Sequence, residues 1–527
     1  MLTITMKLII IKSSKTIAAL LLHSANGSFP LSTAQMTSGK SIPCKTASPI
    51  MGCFQVGVLL AEFFIVRSMS MTLNEAVERQ KEPLLQTLCE SIRIRSVQQP
   101  AQEGAPYGPG VQQCLEHALA AARALGFATV DLDHQMGWCE YGTGDEMIAV
   151  LGHLDVVPEG DGWSFDPFGG IVQEGKVFGR GSMDDKGPTM AALYALAALR
   201  DSGLPLRRRI RLLFGTNEET GSADMKYYKA HGGELPVMGF TPDADYPVIH
   251  GEKGIINATF ASKYAQQGEL RLKEIWGGTA LNIVSPLAWA TFACSKEMAE
   301  EIAAEIAEKI SCELTEDGVK IIADGVSAHG GSPWEGENAN GRLLQFLSTL
   351  PIEGELKKAI NFLAEKIGME YDGKSLGISL SDEESGALTL NFGVLRGNAE
   401  SMEVKFNYRY PVTKEYDDCA PILQKEMIEA GFEQTFELHK RKLYVSRDSE
   451  LVKRLMKVYK DCSGRDDEPT CIGGGTYAKA LPNVVAFGPV FPGEEITEHK
   501  PDEYIIIDSL MDTANIIAEA MCALATD

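Results

Sequence analysis

The sequence predicts an α/β fold, a mixed sheet flanked by helices, that is interrupted by an inserted two-lobed α+β domain. Continuous apolar runs at 147–151 and 210–214 are typical of buried strands, and a helix predicted over 188–200 lies between them. This β-α-β alternation indicates parallel strands. After Gly254 shorter alternating strands replace the pattern, which resumes at about residue 450.

The remaining elements follow from apolar periodicity and from end signals. Thr72 and Glu75 form a predicted capping box at the start of the first helix. The other segments are consistent with the proposed domain order. Helices are predicted over 72–94, 110–125, 296–310, 341–350, 450–459 and 507–524, and strands over 387–394, 402–408 and 484–487.

The chain divides into four predicted segments. Residues 1–70 are an extension, 71–253 and 412–527 are the two parts of a main domain, and 254–411 are the inserted domain. The extension has no persistent amphipathic period, so we expect it to be unstructured or to lie upstream of the native start. A membrane anchor or targeting segment is the less favoured alternative, because its longest apolar stretch contains Glu62.

Composition limits the classes of protein that fit. At 527 residues the chain is too long for one hydrophobic core. A net charge of −23 argues against nucleic-acid and membrane partners, whereas local clusters of acids can hold cations. The eleven cysteines are odd in number and include no C-x-x-C pair, which predicts reduced thiols in the cytoplasm.

Acidic and histidine-containing patches follow several predicted strands. Each alone has an ordinary structural explanation, but carboxylates crowded at one sheet edge repel each other unless cations neutralise them. Two histidines with several carboxylates suit Zn²⁺ or Mn²⁺ better than Ca²⁺. The patches are Gly152-His153-Leu154-Asp155, residues 179–187, Asn217-Glu218-Glu219-Thr220-Gly221, Pro242-Asp243-Ala244-Asp245 and Glu498-His499-Lys500-Pro501.

Two other interpretations of the glycine-rich segment near residue 473 are weaker. Cys471 could be a nucleophile, but most cysteines in such loops are inert. The triple glycine at 473–475 could bind phosphate, but it lacks the Gly-Lys-Ser/Thr ending of a phosphate loop. We therefore favour the metal site.

These motifs, in this order and spacing, resemble the aminoacylase/carboxypeptidase G class of co-catalytic zinc metallopeptidases. Within that class the sequence is most similar to the PepV-type dipeptidases. The resemblance begins at about Thr72 and continues to the carboxyl terminus. The shared dipeptidase motifs are Pro242-Asp243-Ala244-Asp245, Gly251-Glu252-Lys253-Gly254 and Gly473-Gly474-Gly475-Thr476-Tyr477.

The resemblance implies two divalent metal ions per chain, with Zn²⁺ favoured and Mn²⁺ or Co²⁺ as alternatives. Asp184 would bridge the ions, and its peptide bond to Asp185 would be cis. Asp155 would orient the imidazole of His153. The implied ligands are His153, Asp184 and Asp243 for one ion and Asp184, Glu219 and His499 for the other.

The resemblance also assigns the other roles. Glu218 would be the general base for a metal-bridging hydroxide, and His329 of the inserted domain, which becomes a lid, would stabilise the oxyanion. Arg409 would bind the substrate carboxylate. The further substrate contacts implied are Asn282, Gly474, Gly475 and Thr476.

The predicted activity is hydrolysis of dipeptides with broad specificity, with a small peptide as the partner. An N-acyl-amino-acid deacylase or desuccinylase would use the same ions and base. A catalytically silent binding protein would lack a ligand or the base, and all are present here. We expect a monomer, because the insert is long enough for an extra lobe, about residues 352–410, to occupy the place of a second subunit.

Overall fold

The computed structural model describes residues 71–526 and two short segments nearer the amino terminus, Met6–Ile9 and Ala19–Leu22. These two segments pair as antiparallel strands. Residues 71–527 form a compact unit of their own. The rest of the first 70 residues, for which the sequence predicts an extension without a fold, lies outside the described residues.

Helices are distributed along the whole of the main unit. Short 3₁₀-helices cover Pro333–Glu335, Tyr416–Asp418 and Tyr477–Ala480. The α-helices are Leu73–Glu78, Lys81–Ile92, Pro109–Ala124, Lys186–Ser202, Ala223–Ala230, Lys296–Ala304, Ala339–Leu347, Gly354–Lys366, Ala420–Glu429, Glu450–Ser463 and Ile507–Thr526.

A nine-stranded mixed sheet forms the centre of the main domain. Strand Met147–His153 is buried along its whole length, as its apolar run predicts, and it pairs in parallel with a strand on each side. Thr470–Ile472 pairs beside Ile249–Glu252. The other strands, in spatial order, are Leu443–Tyr444, Ile249–Glu252, Val484–Ala486, Met238–Thr241, Met147–His153, Arg209–Gly215, Met136–Tyr141 and Ala128–Leu132.

The inserted domain contains an eight-stranded antiparallel sheet. The two predicted lobes of the insert share this sheet, because Arg271–Gly277 pairs with Thr389–Asn398. Each of the two large sheets has its own hydrophobic core, which confirms the α/β fold with an inserted α+β domain. In spatial order the strands are Ile310–Thr315, Gly318–Asp324, Leu287–Ala293, Arg271–Gly277, Thr389–Asn398, Ser401–Tyr410, Gly254–Lys263 and Glu433–Lys440.

Smaller sheets complete the main unit. Tyr504–Ile506 pairs with Lys176–Phe178, which pairs in turn with Ile171–Gln173. Two-stranded pairs join Ala244–Asp245 to Pro489–Val490, and Ser381–Asp382 to Gly386–Ala387. Gln266–Gln267 forms isolated bridges with residues 353 and 354.

The inserted domain extends past its predicted end at residue 411. Helix Ala420–Glu429 packs into the second hydrophobic core, and strand Glu433–Lys440 pairs with Gly254–Lys263 at the edge of the second sheet. The chain returns to the first sheet only at Leu443–Tyr444. The sequence pattern did not show that the insert continues past residue 411, because a helix followed by a mostly exposed strand fits either the main domain or the inserted domain.

The first predicted helix, over 72–94, is two helices in the structure. The capping box between Thr72 and Glu75 is present. The break follows from Pro83, which has no N–H group to donate to the carbonyl of Arg79.

The helix predicted over 296–310 is also too long. It ends at Ala304, and Ile310–Thr315 is instead an edge strand that pairs with Gly318–Asp324. The other predicted helices and strands are confirmed within a few residues of their predicted ends. Within the part of the chain that the structure describes, no helix has both the length and the apolar character of a membrane span.

Candidate active site

Three parallel strands of the first sheet bring ionisable side chains to one edge. His153 is the last residue of its strand, and the neighbouring strand Arg209–Gly215 leads through a turn to Glu218 and Glu219. Asp243 follows the strand on the other side. The carboxyl ends of the strands therefore gather these groups, as the sequence predicts.

Asp184 and His499 reach the same edge from loops. Asp184 lies just before helix Lys186–Ser202, and its peptide bond to Asp185 is cis, as the resemblance implies. His499 has a φ of 60°, in a turn that precedes strand Tyr504–Ile506. Both side chains come from segments far apart in the sequence, so the fold itself brings them together.

Each carboxylate oxygen of Asp184 faces a different histidine. Oδ1 lies 3.0 Å from Nε2 of His153, and Oδ2 lies 2.9 Å from Nε2 of His499. Oδ1 of Asp243 lies 3.6 Å from Nε2 of His153, and Oε1 of Glu219 lies 3.2 Å from Nε2 of His499. Asp184 is thus placed between two groups of potential ligand atoms.

These groups suit divalent metal ions. The ligand atoms of His153, Asp185 and Asp243 lie within 4.8 Å of one another, as do those of Asp184, Glu219 and His499. Nε2 of His153 is buried without a hydrogen-bond partner, an arrangement that a bound ion would satisfy. Imidazole nitrogens with carboxylate oxygens are a donor set typical of Zn²⁺ and Mn²⁺ sites.

Asp185 was not among the predicted ligands, although its distance places it in the first group. Its Oδ2 accepts hydrogen bonds from the backbone N–H of His153 and from the hydroxyl of Thr189, each at 3.0 Å. These bonds hold the end of the His153 strand. The signal for Asp185 in the sequence is the Asp-Asp pair that begins Asp-Asp-Lys-Gly.

Asp155 contacts the Glu218-Glu219 turn as well as the imidazole of His153, which it was expected to orient. Its backbone carbonyl accepts from Nδ1 of His153 at 2.9 Å, whereas its carboxylate Oδ1 is 3.6 Å from that nitrogen. The two carboxylate oxygens accept the backbone N–H groups of Glu218 and Glu219 at 3.1 and 3.2 Å. Asp155 therefore links the histidine to the Glu-Glu turn.

Nearby carboxylates raise the pKa of both histidines at this edge. Burial opposes the charged imidazole of His153, but Asp243 and Asp184 raise its pKa well above the usual value. Hydrogen bonds with Asp184 and Glu219 raise the pKa of His499 to about 11. Metal ions compete with these protons, so metal binding is expected to depend on pH.

Glu218 is an acid at the same edge that belongs to neither group of ligand atoms. Burial, followed by the negative charge of Asp243, raises the pKa of Glu218 well above its usual value. Its backbone is fixed by Asp155. The arrangement supplies a positioned carboxyl group that can exchange a proton.

Arg409 and His329, which are predicted to contact the substrate, lie side by side on the inserted domain. Nη2 of Arg409 donates to Nε2 of His329 at 3.2 Å, Nη1 donates to the carbonyl of Gly473 at 2.9 Å, and Nε donates to Oδ1 of Asn407 at 3.1 Å. Burial lowers the pKa of Arg409 to about 10. Burial and then Arg409 lower the pKa of His329.

The contact with Arg409 fixes the tautomer of His329. A guanidinium group can only donate, so Nε2 of His329 accepts and its proton resides on Nδ1. Asn282 lies beside this histidine, because its carbonyl accepts the N–H of Gly330 at 2.6 Å and Ile283 forms a bridge with His329. His329 and Asn282 are therefore held together on the insert.

Glu252 organises the glycine-rich loop and was missed in the sequence. Its buried carboxylate accepts the N–H of Thr476 at 3.0 Å and the hydroxyl of Thr476 at 2.7 Å. Both donors of Thr476 are thus used within the protein, which leaves the N–H groups of Gly474 and Gly475 as the candidates for binding an anion. The signal for Glu252 is the motif Gly251-Glu252-Lys253-Gly254.

The glycine-rich loop contacts residues from both the predicted metal site and the predicted substrate-binding site. Gly473 accepts from Arg409 at one end of the loop. At the other end the ring of Tyr477 lies edge-on to His153 with 5.9 Å between ring centres, and its hydroxyl donates to Asp224. This loop therefore contacts His153, a predicted metal ligand, and Arg409, a predicted substrate-binding residue.

Comparison with known proteins identifies the family. Residues 149–523 match the Peptidase family M20/M25/M40. The chain belongs to this peptidase family. Membership confirms the resemblance to co-catalytic metallopeptidases and makes the protein a hydrolase.

Relatives of this M20 peptidase match over nearly their whole length. A Bacillus subtilis (strain 168) protein named "Putative dipeptidase YtjP" is 39% identical over 474 residues, which cover 86% of this chain and 100% of the relative. A Staphylococcus saprophyticus subsp. saprophyticus protein named "Putative dipeptidase SSP1012" is 33% identical over 475 residues, which cover 86% and 99% of the two chains.

Solved structures share the M20 peptidase fold. The crystal structure of human carnosine dipeptidase 1 has a TM-score of 0.52 and 14% sequence identity, and the match covers 86% of this chain and 98% of that one. At this identity the likeness concerns the fold alone. It agrees with the mixed α/β architecture described above.

Proposed function

We propose that this M20 peptidase is a dipeptidase that uses two divalent metal ions. The observation that carries the proposal is the position of Asp184, whose two oxygens face His153 and His499 at 3.0 and 2.9 Å. The names of the relatives at 39% and 33% identity support the same substrate class. Arg409, with three hydrogen bonds holding its guanidinium, provides a charge for the carboxylate of a short peptide.

The proposed ligands follow the two groups of atoms. Asp184 is the shared ligand, because it is the carboxylate that faces both histidines, and Asp185 holds the strand end. Zn²⁺ is the favoured ion, with Mn²⁺ or Co²⁺ as alternatives. When bound, the ions would polarise the scissile carbonyl and lower the pKa of the attacking water. The proposed ligand sets are His153, Asp184 and Asp243, and Asp184, Glu219 and His499.

Glu218 acts as the general base in this proposal. Its carboxyl takes a proton from the attacking water and then gives that proton to the leaving amine. The amide bond cannot break without this second transfer, because an unprotonated amine anion is a poor leaving group. The raised pKa of Glu218 supports its ability to hold the proton between the two steps.

His329 stabilises the negative charge that develops on the carbonyl oxygen. Its Nδ1–H remains available as a donor, because Nε2 accepts from Arg409. Asn282 and the N–H groups of Gly474 and Gly475 supply further polar contacts to the substrate. We infer that these donors, from both lobes, enclose one short peptide.

Replacing Arg409 with Lys is expected to raise KM for dipeptides by roughly 10- to 100-fold with a smaller effect on kcat. A charge-assisted hydrogen bond contributes about 1.5–3 kcal/mol, and an ammonium group cannot reproduce the planar fork. The measurement is steady-state kinetics with one dipeptide and with its carboxyl-terminal amide.

A matched control for this change is Arg396→Lys. Arg396 lies on the same sheet and donates to the carbonyls of Gly277 and Gly278, outside the proposed site. It should keep the wild-type KM. If Arg409→Lys leaves KM unchanged, or if wild-type enzyme hydrolyses the amidated dipeptide as well as the free one, then Arg409 does not bind the substrate carboxylate.

We also propose that one chain contains a complete site and acts as a monomer. Arg409 of the insert donates to the carbonyl of Gly473 and to Nε2 of His329 within a single chain. Mixing His329→Ala with Glu218→Gln protein should therefore recover no activity. Recovery in the mixture would show that subunits share their sites.

The test of the substrate class compares dipeptides with N-acyl amino acids, because a deacylase or desuccinylase would use the same residues. We expect a higher kcat/KM for dipeptides, and a preference for acyl amino acids would refute the proposal. We further propose a cytoplasmic location, since the eleven cysteines are odd in number and include no C-x-x-C pair, a usage that suits a reducing compartment. Recovery of the enzyme in a non-cytoplasmic fraction would contradict that location.

A further inference from the structure

The carboxylate of Glu503 accepts several hydrogen bonds from the loop that carries Asp184, a proposed metal ligand. It is fully buried, and its Oε1 accepts the backbone N–H groups of Gly181 and Met183 at 3.0 Å each and that of Asp184 at 3.3 Å. Three donors converge on one oxygen of a side chain more than 300 residues away in the sequence. The loop that presents Asp184 is therefore shaped around Glu503.

Arg180 neutralises this buried charge. Its Nη1 donates to Oε2 of Glu503 at 2.5 Å, and its Nη2 donates to the carbonyl of Glu159 at 3.3 Å. The guanidinium also lies 5.2 Å from the ring centre of Trp163. Arg180 and Glu503 are both buried, so neither position tolerates loss of its partner without leaving a charge unpaired.

The chain connects this pair directly to two proposed metal ligands. Asp184 lies four residues after Arg180, and Glu503 lies four residues after His499. The N–H of Gly179 donates to the carbonyl of Glu503 at 2.9 Å. The Arg180–Glu503 contact therefore ties the loop of one ligand to the loop of the other.

We infer that Glu503 is a positioning residue that sets the separation of Asp184 and His499, and thereby the affinity for the metal ion that they share with Glu219. The inference rests on the metal centre proposed above. Groups that orient metal ligands typically change metal affinity by about 10- to 100-fold when they are altered. A buried ion pair that served only stability would have no such effect on metal binding.

The test is the Glu503→Gln variant, in which metal affinity is measured directly. The glutamine side chain would keep one oxygen for the backbone N–H groups, but its amide would direct N–H groups at Arg180. We expect Zn²⁺ titration of metal-free protein, in competition with a chromophoric chelator, to show about 10- to 100-fold weaker binding of one ion. At saturating Zn²⁺, kcat should recover most of its wild-type value, because the ligands themselves are intact.

Glu140→Gln is the matched control. Glu140 pairs with Arg209 and Arg211 at 3.0 and 2.8 Å. These residues lie on the nine-stranded sheet, at the end away from the proposed metal site. This variant should lower thermal stability without changing metal affinity. The comparison separates loss of a buried or half-buried ion pair from loss of ligand positioning.

The outcomes are distinct. Folded Glu503→Gln protein with wild-type affinity for both ions would overturn the inference, as would an equal loss of affinity in Glu140→Gln. Glu503→Ala should show a larger loss than Glu503→Gln, and if the alanine variant does not fold, the glutamine variant alone decides. Wild-type protein that binds fewer than two ions would refute the proposed metal centre itself, and the inference with it.

Discussion

The Glu218→Gln enzyme is expected to lose on the order of 10²- to 10⁴-fold in kcat while it retains both metal ions. The amide preserves the shape of the side chain and removes its ability to accept a proton. Glu218 lies outside both groups of ligand atoms, so the metal content should not change. The measurements are kcat at saturating dipeptide and elemental analysis of the same sample.

Glu146→Gln provides the control for loss of one carboxylate. Glu146 forms an exposed pair with Arg208 at 2.6 Å, away from the site, and the variant should have wild-type kcat. A fully metallated Glu218→Gln enzyme with near-wild-type kcat would remove Glu218 from the role of general base. A variant without metal would instead place Glu218 among the ligands.

Replacing Asp184 with Ala is expected to abolish activity by releasing metal. The change deletes a carboxylate whose two oxygens face His153 and His499, and a shared ligand contributes to both sites. Elemental analysis after dialysis should therefore give fewer than one ion per chain. Circular dichroism would establish that the metal-free variant is folded.

Asp185→Asn is the informative comparison for Asp184→Ala. An asparagine oxygen can still accept from the N–H of His153 and the hydroxyl of Thr189. This variant should retain two ions, although Asp185 lies in one of the ligand groups by distance. If Asp185→Asn loses metal and Asp184→Ala keeps two ions, the bridge has been assigned to the wrong aspartate.

The edge of the sheet where the site lies could be predicted from local patterns. Apolar runs such as 147–151 end in His153, and the next parallel strand ends just before Glu218 and Glu219, so periodicity alone places these groups together. The cis bond at Asp184 and the family followed from the motifs. These features depend on residues close together in the sequence.

The positioning residues could not be predicted in the same way. Glu252 and Glu503 act through contacts with segments more than 200 residues away. The motif around Glu252 marks its position but not its partner Thr476, and nothing in the local sequence of Glu503 distinguishes it from a surface acid. The carboxylate of Asp155 likewise binds the Glu-Glu turn, a contact that only the folded sheet creates. The end of the insert was misplaced because edge pairing, rather than composition, decides to which sheet strand Glu433–Lys440 belongs.

The most direct test of the two-metal dipeptidase is a titration of metal-free protein with Zn²⁺, and separately with Mn²⁺ and Co²⁺, in which dipeptide hydrolysis and bound metal are measured together. We expect no activity without metal and a rise in activity that reaches its maximum at two ions per chain. Full activity in the metal-free protein, or a maximum at one ion per chain, would contradict the account.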